Sequence, residues 1–229
     1  MPQDIVIAID GYSGTGKSTT AKMVASALGY IYVDTGAMYR AVTLAFIRGS
    51  LDSTLPEKIT ELLSDIKISF VKNDSSGLQE TYLNGENVEE LIRGIEVSSK
   101  VSEMSAISAV RRKLVEQQRE MGNRGGIVMD GRDIGTVVFP EAELKVFMTA
   151  SDEVRAHRRW LELKQKGKEV AKDEVLENLR SRDQVDTTRE DSPLKQADDA
   201  ILIDTSNISI EQQVKDILIL AKRKLGEDI

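Results

Sequence analysis

The chain of 229 residues contains no cysteine and only one histidine, His157. Disulfide bonds and thiolate metal sites are therefore excluded, and so is a metal site built from several histidines. Because a ligand set needs partners, we expect a structural role for His157. The net charge of −7 argues against a general nucleic-acid binder, since contacts along a phosphate backbone need a basic surface.

Long apolar segments are also missing. No run of about 18 apolar residues occurs, so we expect no membrane span. The chain does not open on a basic segment followed by an apolar stretch, so no signal peptide is expected and a cytoplasmic location is the default expectation. The length suits one domain, 1–229, with room for a small insert.

Apolar β-branched segments alternate with helical patterns along most of the chain. Strands are predicted over 5–9, 30–33, 127–130, 144–148 and 200–204. Helices are predicted over 18–28, 38–47, 153–166, 173–182 and 210–225. Strands that alternate with helices are joined by crossovers, so the pattern predicts a three-layer α/β fold with a five-stranded parallel sheet.

Residues 51–95 depart from this alternation. A short helix is predicted over 56–63 and half-exposed strands over 67–72 and 80–83, followed by the hairpin dipeptide Asn84-Gly85. The segment is therefore predicted to be a small antiparallel insert. A long polar helix is predicted after it, over 95–121.

Glycines, a lysine and hydroxyl residues follow the first predicted strand and precede the first helix. They fit G-x-x-x-x-G-K-[ST], in the strand-to-helix context that a phosphate-binding loop requires. We call residues 11–18 the phosphate loop. Its members are Gly11, Tyr12, Ser13, Gly14, Thr15, Gly16, Lys17 and Ser18, and Thr19 is a further predicted nucleotide contact.

The residue types of the phosphate loop suit a triphosphate. Glycines let backbone N–H groups approach phosphate oxygens, and the helix N-terminus adds positive potential at the same point. Lys17 can bridge the β- and γ-phosphates, and the Ser18 hydroxyl can ligate Mg²⁺. The sequence therefore predicts that the chain binds a nucleoside triphosphate with Mg²⁺.

Three classes of phosphate-loop protein were compared. A GTPase would need N-K-x-D, and the chain contains no Asn-Lys pair. A motor ATPase usually has an acidic pair after an apolar strand, whereas Gly131 follows Asp130. A small-molecule kinase must hold two anions together and needs arginines beyond the phosphate loop, which this chain has.

Arginines follow two of the predicted strands. Arg40 ends the segment DTGAMYR, and Arg132 lies in DGRDIGT, both at carboxyl ends of strands, where α/β sheets bind ligands. Arg155, Arg158 and Arg159 share one predicted helix. For Arg155 and Arg159 an ordinary surface role is at least as well supported.

The segments VDTGAMYRA, MDGRDIGTVVFP, RAHRRW, RDQVDTTREDSPL and ADDAILIDTSNISIEQ, with the phosphate loop, closely resemble bacterial cytidylate (CMP/dCMP) kinases. The likeness runs in the same order over essentially the whole chain. It implies a P-loop kinase fold in which 51–95 is the nucleoside-monophosphate-binding insert and 155–190 is a short helical lid. It also implies γ-phosphoryl transfer from ATP to CMP or dCMP, with Mg²⁺, in a monomer without nucleic-acid or membrane partners.

The same resemblance implies roles for individual residues. The implied substrate contacts are Asp34, Thr35, Arg40, Ser102, Arg111, Asp130, Arg132, Asp133, Asp186 and Arg189. The implied catalytic residues are Lys17, Arg158, Arg182 and Arg189, of which Arg158 and Arg182 resemble lid arginines. Asp133 is the candidate for base discrimination, because a carboxylate accepts from the cytosine N4 amino group and faces the uracil O4 acceptor badly. Tyr12 occupies a position where many relatives have proline.

Two alternatives remain open from the sequence. A related kinase would phosphorylate UMP, shikimate or another small metabolite. A regulatory module would bind ATP without a second, arginine-lined pocket.

Overall fold

The computed structural model describes residues 4–50, 56–73, 79–165 and 167–226. They form two compact units, one comprising the chain up to Val33 and from Met121 onward, the other Asp34–Glu120. Residues 51–95 lie within the second unit, and 51–55 and 74–78 are outside the described part. None of the described helices is both long and apolar enough to cross a membrane.

The elements follow the predicted order. The strands are β1 Val6–Gly11, β2 Ile31–Asp34, β3 Ile68–Lys72, β4 Gln79–Leu83, β5 Glu86–Asn87, β6 Ile127–Gly131, β7 Leu144–Thr149 and β8 Ile201–Asp204. The helices are α1 Lys17–Leu28, α2 Thr35–Arg48, α3 Pro56–Asp65, α4 Ile95–Ala106, α5 Ser108–Gly122, α6 Asp152–Gln165, α7 Lys172–Thr188 and α8 Ile210–Leu225. Two short turns are also described, a 3₁₀ turn at Leu91–Arg93 and a π-helical turn at Ile134–Val138.

Five strands form the larger sheet, in the order β2-β6-β1-β7-β8. β1 pairs in parallel with both β6 and β7, and β7 pairs in parallel with β8. The predicted α/β fold with a five-stranded parallel sheet is therefore confirmed. Asp10 lies opposite Gly131 and Gly11 opposite Met148, so the segments that follow β1 and β6 leave the same edge of the sheet side by side.

One face of this sheet packs against α1 and α8. Ile7 and Ile9 of β1 are fully buried in one apolar cluster with Val24 of α1 and Ile217 of α8. Burying an aliphatic side chain of this size stabilises the fold by about 1.5–3 kcal/mol. The cluster thus fixes α1, the helix whose first two residues belong to the phosphate loop.

Helices α6 and α7 share a small apolar core. Ala156, Val175 and Leu179 are buried in it, and the indole Nε1 of Trp160 donates to the carbonyl of Val170 at 3.1 Å. The ring of His157 stacks near Trp160, with centroids 6.0 Å apart. Residue 166, predicted as the last of a helix, lies outside the described residues.

The helix predicted over 173–182 corresponds to α7. The prediction that it ends at residue 182 was wrong, since α7 continues to Thr188. Its buried side after Leu179 includes Asp186, a carboxylate that is only 9% exposed. A helix is predicted from the spacing of its apolar residues. Because a carboxylate takes a buried position here, that spacing does not indicate the last turns of α7.

The second unit contains an antiparallel sheet with the strand order β3-β4-β5. Asn84 and Gly85 form the two-residue turn between β4 and β5, with φ of 51° and 86°. Positive φ at both positions is what a type I′ hairpin turn requires, and it explains why this dipeptide predicted the hairpin correctly.

The single long helix predicted over 95–121 was also wrong. The chain breaks between α4 and α5 at Ile107, which is extended with φ −76° and ψ 115°. Ser105 lies just before the break, and its hydroxyl donates to the carbonyl of Ser102 at 2.8 Å. Serine side chains that bond the local backbone compete with helical hydrogen bonds, which gives a local reason for the break.

Candidate active site

The phosphate loop connects β1 to α1 with glycines in left-handed conformation. Gly14 has φ 78° and Gly16 has φ 96°, values that side chains with a Cβ rarely adopt. The Tyr12 carbonyl accepts from Thr15 Oγ1 at 3.0 Å and from Lys17 Nζ at 2.5 Å. The loop therefore closes on itself around one carbonyl, and the Lys17 ammonium lies within it at the N-terminus of α1.

Ser18, Asp130 and Tyr32 form a hydrogen-bonded group beside the phosphate loop. The Ser18 hydroxyl donates to Asp130 Oδ2 at 2.9 Å, and the Tyr32 hydroxyl donates to Asp130 Oδ1 at 2.7 Å. A hydroxyl and a carboxylate side by side are hard oxygen donors of the kind that Mg²⁺ prefers. Asp130, predicted as a substrate contact, thus lies with the predicted metal ligand Ser18.

Two buried ionisable groups of the site have strongly shifted pKa values. Burial, reinforced by the like charge of Arg132, lowers the pKa of the Lys17 ammonium from 10.5 to about 7. Burial raises the pKa of Asp10 from 3.8 to about 7, although two backbone hydrogen bonds oppose this rise. Both groups therefore change charge close to neutral pH, and an arriving phosphate would favour the protonated form of each.

Asp10 is a site residue that the sequence reasoning missed. Its carboxylate accepts from the backbone N–H groups of Ile134 and Gly135, at 2.8 and 2.7 Å, at the start of the π-helical turn. These residues directly follow Asp133, so Asp10 supports the backbone that presents it. A carboxylate at the end of an otherwise apolar buried strand was the available signal.

Three predicted substrate residues come together around Asp186 on α7. Arg132 Nε donates to Asp186 Oδ2 at 2.8 Å, and Arg189 Nη1 donates to Asp186 Oδ1 at 3.3 Å. Burial, the largest single influence, opposes the charge on Asp186, but Arg132 and the neighbouring arginines together outweigh it, so the pKa of this carboxyl lies below its usual value. The positive charge of Arg182 also lowers it, which places the predicted lid arginine in the same electrostatic cluster.

Arg158 contacts the phosphate loop from α6. Its guanidinium donates to the Thr205 carbonyl at 2.6 Å and to the Thr205 hydroxyl at 3.1 Å. A longer bond, at 3.4 Å, reaches the carbonyl of Thr15, which also accepts from the Thr205 hydroxyl at 2.9 Å. The predicted lid arginine is thus held against the loop itself, through a buried threonine that the sequence did not single out.

In the second unit, Asp34 organises the start of α2. Its Oδ1 accepts from the backbone N–H of Ala37 at 2.8 Å, which caps the helix, and its Oδ2 accepts from Arg40 at 3.3 Å. Arg93, which the sequence did not indicate, lies 3.6 Å from the same oxygen. Thr35, the first residue of α2, is only 3% exposed. Two guanidinium groups and a buried hydroxyl therefore meet at one helix N-terminus, an arrangement suited to a phosphate.

Arg111 lies elsewhere in that unit, and it is only 1% exposed. Its guanidinium carbon is 5.4 Å from the centre of the Tyr39 ring, and its Nη1 donates to the Ser105 carbonyl at 3.1 Å. Ser102, the remaining predicted contact, is half-buried on α4, one turn before Ser105. The helix break at Ile107 brings Arg111 back to the end of α4.

Comparison with known proteins identifies the family. A family model for cytidylate kinase matches residues 7–223. The chain belongs to the cytidylate kinase family. The resemblance stated from the sequence segments is thereby confirmed over nearly the full length, and the family match includes both units.

Individual relatives agree with the family match. A cytidylate kinase of Cytophaga hutchinsonii is 54% identical over 223 residues, covering 97% of this chain and 95% of that protein. A cytidylate kinase of Flavobacterium johnsoniae is 57% identical over 217 residues, covering 93% and 94%. A crystal structure of an uncharacterized protein from Eubacterium ventriosum has a TM-score of 0.53 at 13% identity, covering 96% of this chain and 99% of that one, a likeness of fold alone.

Proposed function

We propose that the protein transfers the γ-phosphoryl group of ATP to CMP or dCMP, giving ADP and CDP or dCDP in pyrimidine nucleotide metabolism. The observation that carries this is the phosphate loop beside an arginine–aspartate–arginine cluster with a buried carboxylate at its centre, in a member of the cytidylate kinase family. A donor site alone would suit a regulatory module. A second set of guanidinium groups suits a kinase that holds two anions.

On the donor side, the phosphate loop would hold the β- and γ-phosphates through its backbone N–H groups and Lys17. Ser18 would hold Mg²⁺, with Asp130 next to it, since their oxygens lie 2.9 Å apart. When bound, the ion would neutralise charge on the transferring phosphates. The contact of Tyr32 with Asp130 orients that carboxylate toward Ser18.

On the acceptor side, Thr35 and Arg40 would contact the phosphate, with Arg93 as an added candidate. The remaining proposed contacts in the second unit are Asp34, Ser102 and Arg111. The proposed contacts in the first unit are Arg132, Asp133, Asp186 and Arg189. Asp133 would accept from the cytosine N4 amino group, and Asp186 would accept from a sugar hydroxyl, which ribose and deoxyribose both offer.

In the transfer, an oxygen of the acceptor phosphate forms a bond to the γ-phosphorus. The bond from the γ-phosphorus to the β–γ bridging oxygen breaks, and ADP leaves with that oxygen. The acceptor is already an anion, so no general base is needed. Lys17, Arg158, Arg182 and Arg189 would stabilise the moving charge. The segment 155–190 would act as the lid that excludes water, and 51–95 as the acceptor-binding insert.

The proposed activity is tested by one panel assay. ADP release is measured with ATP and each of CMP, dCMP, UMP, AMP, GMP and shikimate. CMP and dCMP are expected to give the highest kcat/KM. A higher value for UMP or shikimate would assign another acceptor, and ATP binding without transfer to any acceptor would support a regulatory module instead.

We expect Asp133→Asn to reduce the preference for CMP over UMP by about 10- to 100-fold, the usual worth of a base contact of this kind. An asparagine can donate a hydrogen bond from its amide NH₂ to the uracil O4, whereas a carboxylate has no hydrogen to donate. The measurement is kcat/KM for both nucleotides. Asp216→Asn on α8 is the matched control, and an unchanged CMP/UMP ratio in Asp133→Asn would remove this residue from base selection.

Binding of ATP is expected to take up protons at alkaline pH. With a pKa of about 7, Lys17 is mostly neutral in the free protein at pH 8, and the triphosphate charge restores its proton. Proton uptake by this group should therefore be large near pH 8, and it should vanish well below pH 7, where Lys17 is already charged. Calorimetry with a non-hydrolysable ATP analogue at pH 8, in two buffers of different ionisation enthalpy, measures it. Equal heats in both buffers would contradict the shift.

We propose further that the protein acts as a monomer in the cytoplasm, where both nucleotides are available. The mass of the purified protein by light scattering tests the first part. A value near 25.4 kDa is expected for a monomer.

A further inference from the structure

Arg155 is an almost fully buried cation on the first turn of α6, with 4% of its side chain exposed. From the sequence, a surface role was at least as well supported for this residue, which lies in a charged helical segment. Burying an ion is costly unless its partners compensate.

On one side, Arg155 contacts three consecutive residues of the phosphate loop. Its guanidinium carbon lies 5.1 Å from the centre of the Tyr12 ring, and its Nη1 donates to the Ser13 carbonyl at 3.2 Å. A Cβ added at Gly14 would lie 3.2 Å from the Cβ of Arg155. The Tyr12 ring also packs against the Phe147 ring in a T-shaped arrangement, with centroids 5.9 Å apart. The phosphate loop therefore packs directly against Arg155.

The position of Tyr12 in turn determines where the Lys17 ammonium group lies. The Tyr12 carbonyl accepts from both Thr15 and Lys17, as described above. A shift of Tyr12 would thus move the ammonium group that is to meet the triphosphate.

On its other side, Arg155 holds two carboxylates. Its Nη1 lies 2.6 Å from Asp183 Oδ2 on α7, and its Nη2 lies 2.5 Å from Asp152 Oδ1 on α6. Asp183 follows Arg182 directly and precedes Asp186 by less than one turn of α7. The same guanidinium thus contacts the phosphate loop and the helix that presents the arginines proposed to stabilise transfer.

We propose that Arg155 is a positioning residue that fixes the position of the phosphate loop relative to α7. The proposal rests on the proposed phosphoryl transfer for its effect on kcat, and on the loop alone for its effect on ATP affinity. The planar fork is required in addition to the charge, because a lysine ammonium cannot meet two carboxylates, a carbonyl and an aromatic ring in one fixed geometry.

The test compares Arg155→Lys and Arg155→Met with Arg159→Met on the same helix, where the Arg159 side chain is 39% exposed and pairs with Glu162. We expect both Arg155 variants to lower kcat by about 100-fold, the effect of misplacing reacting groups by about 1 Å. We expect their affinity for ATP, measured without acceptor, to fall about 10-fold, in the range usual for loss of a coupled contact. Arg159→Met should stay within about 2-fold of wild type in both measurements.

A double-mutant cycle with Asp183→Asn distinguishes positioning from general stabilisation. If Arg155 acts by linking the loop to Asp183, the double variant Arg155→Met/Asp183→Asn should be no worse than Arg155→Met alone. Losses that multiply, or a lysine that restores kcat to within about 3-fold, would overturn the proposal. Thermal unfolding of each variant distinguishes a loss of activity from a loss of folded protein. If Arg155→Met does not fold, a comparison of Tyr12→Leu with Tyr12→Phe tests the same contact from the phosphate loop.

The two proposals can fail separately. A wild-type protein that transfers phosphate to none of the acceptors contradicts the proposed function. The ATP affinities then still decide the positioning role, since unchanged affinity in both Arg155 variants would contradict it.

Discussion

Lys17→Met is expected to lower kcat by about 10²- to 10³-fold, the scale seen when a preorganised charge-stabilising group is removed. Lys17 is 5% exposed, is anchored on the Tyr12 carbonyl, and lies at the N-terminus of α1. Methionine keeps the length and apolar packing of the side chain but brings no charge to the moving phosphoryl group. Steady-state ADP release with saturating ATP and acceptor measures the loss.

The same variant should bind the acceptor nearly as well as wild type, because none of the proposed acceptor contacts is removed. Lys215→Met, an exposed change on α8, is the control for loss of one positive charge. Turnover near the wild-type rate in Lys17→Met would show that residues 11–18 do not bind the donor as proposed. An equal loss of acceptor affinity would instead indicate a general defect of the site.

Gly11→Ala is expected to cost more than about 4 kcal/mol of unfolding free energy, a magnitude reserved for changes the backbone cannot absorb. A Cβ at this position would lie 2.0 Å from the backbone oxygen of Met148 on the neighbouring strand, and Gly11 has φ 141°. Neither strand can yield, since β1 lies between β6 and β7. Chemical denaturation followed by circular dichroism measures the change, and failure to obtain folded protein agrees with it.

Gly29→Ala is the matched control. Gly29 also has a positive φ, 70°, but nothing lies within 4 Å of its added Cβ. Only the backbone cost of about 1–2 kcal/mol is then expected. Equal losses in the two variants would mean that backbone conformation, rather than the contact with β7, determines the need for glycine at position 11.

The donor half of the site was predictable because its determinants are local. Strand, glycine loop, lysine and helix follow one another within β1 and α1, so sequence order alone assembles them. Strands β1, β6 and β7 were predictable for a similar reason, since buried strands are apolar almost throughout. The effects of Gly29 and of Asn84-Gly85 are likewise local. Gly29 ends α1, and Asn84-Gly85 forms the turn between β4 and β5.

The features that were missed depend on buried polar residues. Asp10 directly follows the predicted strand 5–9 and Arg155 lies in the predicted helix 153–166, and only their distant partners reveal why they are buried. Asp186 hid the end of α7 for the same reason. At the break at Ile107, the Ser105 side chain bonds the backbone of its own helix, a local feature that helical periodicity does not register.

The α6–α7 hairpin carries the one tryptophan of the chain, Trp160. Intrinsic fluorescence excited at the red edge of indole absorption is therefore a local signal from this hairpin and from no other part of the molecule. Stopped-flow mixing with either nucleotide can follow movement of the proposed lid in the natural sequence, without an attached dye.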